Sequence, residues 1–235
     1  MRTRLTINDI IDSFPDYRVA LVVADELRIS PYRPASLAAE IGAAEADTAD
    51  RYSETGMNDI PGIGEWRRAY RGFGIKKTSY RCSVERLVRS CIKGRGLPAI
   101  NSFVDAYNLV SVRHVMPLGA DDLDCVQGAL AFRFARPGDS FIALGDQNRA
   151  EDPPKEGEVV YADEVKVLCR RWNWYQDGRS PVSVSTTRAV VTVQSLGAGD
   201  LGAAITDLER LLKEHSGARV RWKIADRSVT TVEIG

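Results

Sequence analysis

The chain has 235 residues, 44% of them hydrophobic, with 32 Lys and Arg against 32 Asp and Glu. That length and apolar content suffice for a substantial core, and a formal net charge of +0 excludes nucleic-acid binding driven by bulk charge. No apolar run approaches the roughly 18 residues of a membrane span, and the opening MRTRLTINDIIDSF lacks the apolar stretch of a secretory signal, so the expected location is the cytoplasm, with no membrane partner.

In chain order, YRVALVVA (17–24) is β-branched and apolar and reads as a buried strand. Residues 34–52 place Leu37, Ile41 and Ala44 at helical spacing behind Pro34, a helix opened by proline. PGIGEWRRAYRGFGIKKTSYRC (61–82) reads as loop, helix, loop; its glycine pairs lack the rest of a dinucleotide or phosphate-loop fingerprint and are turn glycines. Ser83 is a candidate N-cap for a helix through Lys93, with Val84, Leu87, Val88 and Cys91 on one face and Arg86, Arg89 and Lys93 largely on the other. A further helix over 100–114 buries Phe103, Val104, Tyr107 and Val110 and stops before the Pro117 loop.

After Asp124 the period changes from helical to alternating. GALAFRFAR, SFIALG, EVVYADE, VKVLCRRW and TRAVVTVQSL read as strands, DQNRAEDPPKEGE (146–158) as the exposed loop. An amphipathic helix follows over 200–215, with Gly217 as its stop, and ARVRWKIAD and VTTVEI close the chain as strands. Helices followed by strands give an α+β fold with mixed sheets, expected as a single domain over 1–235.

Cys82, Cys91, Cys125 and Cys169 form no CxxC pair, and His114 and His215 lie far apart in sequence. Neither a disulfide framework nor a zinc site is suggested, and no metal or cofactor is expected. Charge is unevenly spread: residues 65–95 hold ten basic side chains against two acids, and 139–164 hold eight acids against two basic ones. The alternatives are solvated faces or a phosphate-facing surface beside an acidic pocket.

Several ordered stretches carry more. SVERLVRSCIKGRGLPAINSFVDAYNLVSV, PLGADDLD and EVVYADEVKVLCRRWNWYQD, followed by Thr186 and Thr187, together resemble the B3/B4 editing domain of the phenylalanyl-tRNA synthetase β subunit, in its free-standing version, over roughly residues 60–200. The resemblance implies a B3/B4-like fold and hydrolysis of a wrong amino acid from a tRNA. By position, Asn108 matches an asparagine lining the family's editing site. Gly119 stands where the synthetase has an active-site histidine and Asp121 where it has a phenylalanine, while the synthetase's editing-site glutamate falls near Thr192 and is missing.

Those departures open space and add negative charge, so the expected substrate side chain is cationic rather than phenolic. A carboxylate pairs with a guanidinium through charge-assisted hydrogen bonds, and Asp121, Asp122, Glu158 and Asp163 are the candidate partners. Trp172 and Trp174 are candidate aromatic walls, with core packing as the alternative for each. Because an aminoacyl ester is already activated, positioned water and oxyanion donors suffice; Asn108, Asn173, Thr186, Thr187 and the Gly119 backbone are the candidates, with Asp121 as a base if burial raises its pKa. Arg67, Arg68, Arg71, Lys76, Lys77 and Arg81 are the expected phosphate contacts to tRNA, with no DNA partner. The leading reading is a trans-editing deacylase for an arginine analogue such as canavanine on tRNA(Arg). The alternatives are a noncatalytic RNA-binding module of the same fold and editing of the tyrosyl-tRNA(Phe) type. Oligomeric state is not legible.

Overall fold

Strand β2 (Tyr17–Asp25) shows how the layers are built, because its neighbouring side chains enter two different cores. Val19, Leu21 and Val23 join one apolar cluster, and Ala20, Val22 and Ala24 join the other. A strand covered on both faces needs apolar residues at every position, which is why the sequence there is a continuous run rather than an alternation. The computed structural model describes residues 2–75, 80–146, 148 and 150–235.

Around β2 lie β1 (Thr3–Thr6), α1 (Ala35–Tyr52), α2 (Gly64–Gly72), α3 (Ser83–Ile92), α4 (Ser102–His114) and β3 (Leu118–Asp122). Then follow β4 (Leu130–Phe134), β5 (Val159–Ala162), β6 (Val167–Arg170), β7 (Tyr175–Gln176), β8 (Ala189–Leu196), α5 (Leu201–Ser216), β9 (Arg219–Ala225) and β10 (Thr231–Ile234). One sheet has the order β10-β1-β4-β5-β6-β7 and the other β3-β8-β2-β9. Among the described residues all strand pairings are antiparallel except β1 with β4. The arrangement is α+β, as expected. The cluster containing Val19 and Leu21 also takes Phe132 and Tyr161 from the six-stranded sheet and Trp66 from α2. On the opposite face of β2, helices α1, α4 and α5 cover Ala20 and Val22 through Leu37, Phe103 and Leu208.

Local chemistry sets the ends of the helices. Asn101 Oδ1 accepts from the backbone N–H of Phe103 (3.1 Å) and Val104 (2.8 Å), capping α4. Asp200 does the same for Ala203 N–H at 3.0 Å, and α5 stops at Gly217 in the left-handed conformation (φ 62°). The turn into α2 requires glycine: Gly62 has φ 88°, and a Cβ there would strike the Val115 carbonyl.

Three expectations are corrected. Ser83 is not a cap: α3 is preceded by Cys82, and no side-chain cap bond is made. Residues 140–145 form no strand but two isolated bridges, Ile142 to Glu151 and Ala143 to Asp177, because the Asp177 carboxylate takes the Ile142 N–H (2.9 Å) that a strand neighbour would have taken. The stretch after Pro117 is not a loop but β3; with no β-branched residue it is a strand by recruitment, pairing Gly119 with Thr192 and Asp121 with Val190 on β8.

Candidate functional site

A cavity of about 440 Å³ opens between the two sheets, beneath α3 and α4. Strand alternation supplies its walls. On β8 the polar residues Thr192 and Gln194 are two positions apart and share one face, and across from Thr192 the β3 residue Gly119 contributes only backbone. From the other sheet, Tyr161 on β5 and its register partner Cys169 on β6 line the cavity. Helix α4 contributes Tyr107 and Asn108, and α3 contributes Ser83 and Arg86.

Asp121 is the carboxylate of this cavity, 3% exposed. Its Oδ1 accepts from Ser180 Oγ–H at 2.7 Å and Gln176 Nε2–H at 3.1 Å. Both donors reach the same oxygen, and no bond to Oδ2 is made among the described residues, which leaves that oxygen for a ligand. Burial pushes the Asp121 carboxyl up to about 7, against the opposing pull of the Ser180 and Gln176 hydrogen bonds. A carboxylate poised there takes a cation or a proton from a ligand near neutrality.

The floor is a network of neutral polar side chains. Tyr70 O–H donates to Asn173 Oδ1 (3.0 Å), and Gln194 Oε1 accepts from both Asn173 Nδ2 and Tyr17 O–H (3.2 Å each). Gln194 Nε2 donates in turn to Thr192 Oγ1 at 3.3 Å. Such a paired network fixes each amide's orientation.

The segment after β6 is held in a sparsely populated backbone geometry, with Arg171 at φ 46° and Trp172 at φ 68°. Conformations of this kind cost about 1–3 kcal/mol and persist only where the surroundings enforce them. Trp172 is fully buried, with Phe14, Tyr17 and Trp66 edge-on at 4.7, 4.9 and 5.1 Å, so it is at once core and cavity wall. The Arg171 guanidinium packs against the rings of Tyr80 (3.8 Å) and Trp174 (4.5 Å), which themselves meet edge-on at 5.0 Å, and these contacts hold Trp174 at the rim. Arg86 carries its charge at the same rim, donating to the Trp174 carbonyl at 3.3 Å and lying over Tyr175 at 5.7 Å.

Of the residues singled out from sequence, Asn108, Gly119, Asp121, Trp172, Asn173 and Trp174 come together around this one cavity. Asp122, Glu158, Asp163, Thr186 and Thr187 do not line it, because other groups claim them. Asp122 Oδ2 accepts from Thr186 Oγ1 at 2.6 Å. Thr187 is exposed, its carbonyl bonded to Leu27 N–H. Asp163 is paired with Lys166 at 2.6 Å within the β5–β6 turn. Glu158 holds Arg170 at 2.9 Å and Arg171 at 3.6 Å, and so acts on the site only by supporting the arginine that braces Trp174.

The basic segment is likewise less available than its composition suggests. Glu85 on α3 is 1% exposed and gathers Arg67 (2.6 Å), Arg89 (2.8 Å) and Arg81 (3.1 Å), while Arg68 pairs with Glu65 at 2.9 Å. Burial, which would raise the Glu85 pKa, is outweighed by hydrogen bonds from Arg67 and Arg89, which hold it below the ordinary range. Arg71 is exposed, and Lys76 and Lys77 lie outside the described residues.

Gln194, Gln176 and Tyr161 were not singled out from sequence, and Arg86 was read only as part of a basic helix face. For Gln194 a signal existed: in AVVTVQSL, Thr192 and Gln194 stand two positions apart around Val193, which puts two polar side chains on one face of an apolar strand. For metal binding, ligand atoms of Glu40, Glu214 and His215 lie within 4.8 Å of one another. Arg210 already bridges the two glutamates, at 2.7 Å and 3.2 Å, so a guanidinium fills the role a cation would take. No helix among the described residues is long and apolar enough to cross a membrane.

Gly119 offers a direct check of the cavity. A Cβ built there meets nothing within 4 Å, so Gly119→Leu is expected to project into the open volume. Ligand binding should fall at least ~10-fold, with little change in stability, because a strand position accepts leucine readily. A melting curve beside a binding titration separates this from general damage.

Comparison with known proteins places this geometry in a family. The B3/4 domain matches residues 65–222. The phenylalanine–tRNA ligase beta subunit of Nitrosospira multiformis is 39% identical over 105 residues, 43% of this chain and 12% of that protein. The Aquifex aeolicus beta subunit is 33% identical over 120 residues, 50% of this chain and 15% of that protein. The chain therefore spans a small part of these relatives' length. An N-terminal fragment of the phenylalanyl-tRNA synthetase beta-subunit from Pyrococcus horikoshii aligns over 90% of this chain and 48% of its own, at 13% identity and a TM-score of 0.45. With the match covering the walls of the cavity from α3 to β8, the chain belongs to the B3/4 domain family.

Proposed function

We propose that the protein is a trans-editing aminoacyl-tRNA deacylase whose cavity accepts a cationic side chain, with canavanine on tRNA(Arg) as the leading substrate. The observation that carries this reading is Asp121: a buried carboxylate with a free oxygen, in a cavity of about 440 Å³ that suits one amino-acid side chain. A guanidinium-like group on Oδ2 satisfies both the charge and the unused acceptor.

The reaction needs no covalent intermediate. Water adds to the ester carbonyl carbon, the bond from that carbon to the ribose oxygen breaks, and the proton lost by water ends on the ribose oxygen. Asn108 and the Ser83 hydroxyl are the neutral groups placed to orient water and carbonyl, and Arg86 at the rim faces an incoming phosphate. Thr186 acts at one remove, by fixing Asp122 beside Asp121.

The test is a panel of mischarged tRNAs, including canavanyl-tRNA(Arg) and tyrosyl-tRNA(Phe), incubated with purified protein without ATP. Cationic members are expected to lose their amino acid well above the spontaneous rate. If no member does, the catalytic reading fails, and salt-sensitive tRNA binding without turnover would point instead to a noncatalytic RNA-binding module.

A further inference from the structure

Tyr161 lines the cavity, and neither the packing nor the proposed hydrolysis gives its hydroxyl a role. Its ring stacks on Phe132 with centroids 4.7 Å apart and planes 22° from parallel, and the residue is 4% exposed. The ring explains the burial, and phenylalanine would pack equally well. The hydroxyl is unexplained: Tyr161 Oη is buried with no hydrogen-bond partner among the described residues. Buried polar atoms are almost always paired, and one that is not is suited to a ligand.

The phenol is a permanent donor. Burial first, and then the charge of Asp121, raise its pKa well above the usual tyrosine range, so it keeps its proton wherever the protein is folded. Tyr161 stands on β5 of one sheet and Asp121 on β3 of the other, and both line the same cavity. A ligand between them meets an acceptor, Asp121 Oδ2, and a donor, Tyr161 Oη–H.

We propose that Tyr161 is a specificity-determining residue, its hydroxyl donating to an acceptor heteroatom in the substrate side chain beside the cationic group held by Asp121. This deepens the proposed function and rests on it for the cationic group. The substrate class narrows to cationic side chains with an oxygen next to the charged end, as opposed to all-carbon chains of the same length. Canavanine has an oxygen where arginine has a methylene. A methylene opposite Tyr161 leaves a buried hydroxyl unpaired, and a site built to hydrogen-bond its substrate rejects the analogue that cannot reciprocate. The same contact spares correctly charged arginyl-tRNA.

The experiment compares wild type with Tyr161→Phe by two readouts: kcat and KM on canavanyl- and arginyl-tRNA(Arg), and calorimetric binding of free canavanine and free arginine. Wild type should favour canavanine. The variant should lose about tenfold of that preference, in KM and Kd rather than in kcat, with arginine binding unchanged and a melting temperature no lower than wild type. An unchanged canavanine-to-arginine ratio, or an equal loss for both ligands, overturns the role of Tyr161 and leaves the deacylase reading standing. If wild type neither binds nor hydrolyses any cationic member, both fall together.

Discussion

Asp121→Asn should make the protein more stable and much less active. Asparagine keeps an acceptor for Ser180 and Gln176 but carries no charge. The native carboxyl sits at about 7, against an ordinary value of 3.8. Between those values the folded state holds a proton that the unfolded chain has released, so wild-type stability falls as pH rises through that window and levels off above it. A shift of this size corresponds to about 4 kcal/mol at most. The variant should therefore melt several degrees above wild type near pH 8 and close to it near pH 4, using about 2–4 °C per kcal/mol for a chain of this size. Under the proposed function, the wild-type rate on a cationic substrate should rise with pH through about 7, as the carboxylate forms, and the variant should lose that dependence along with ~100-fold of its rate. A melting difference that is the same at every pH would show that burial does not raise the Asp121 pKa.

The second large effect is expected at Glu85. Its carboxylate is 1% exposed and is shared by Arg67, Arg81 and Arg89. Glu85→Ala leaves these guanidiniums facing one another without their common counter-charge. Breaking a buried pair from one side costs about 3–5 kcal/mol, or roughly a 10 °C fall in melting temperature by the same scaling. Acid should reproduce part of the loss: the folded pKa of Glu85 is depressed, so its contribution is complete above the ordinary glutamate value and disappears as pH drops through the folded one. Arg68→Ala, at an exposed pair, should change stability by less than about 1 kcal/mol. Adding Arg67→Ala to Glu85→Ala should recover some stability, because one uncompensated charge is removed.

The contrast between these acids explains what the sequence could and could not disclose. β2 was legible as an unbroken β-branched apolar run, α4 from the spacing of Phe103, Val104, Tyr107 and Val110, and α5 as an amphipathic stretch stopped by Gly217. β3 was not, since Leu-Gly-Ala-Asp-Asp is made a strand by its neighbour β8. SFIALG misled in the opposite way, its alternation intact but its partner being the side chain of Asp177. At the site, the ordered motifs identified Asn108, Asp121 and Trp172, and these residues share one cavity. The acids at 122, 158 and 163 look equivalent to Asp121 in the sequence. What separates them is whether a cation or a hydroxyl has already claimed the carboxylate: Arg170 for Glu158, Lys166 for Asp163, Thr186 for Asp122. The Asp163–Lys166 spacing was readable in advance; the long-range pairings were not.

Gly119 and Asp121 stand opposite Tyr161, on strands that belong to different sheets and are joined by no shared ladder. Neither half encloses the cavity alone, so affinity for a ligand there arises only when the two layers close on each other. During refolding, recovery of ligand binding should consequently lag behind secondary structure and coincide with the last docking event. A chain caught halfway, however rich in strand and helix, would hold no closed cavity.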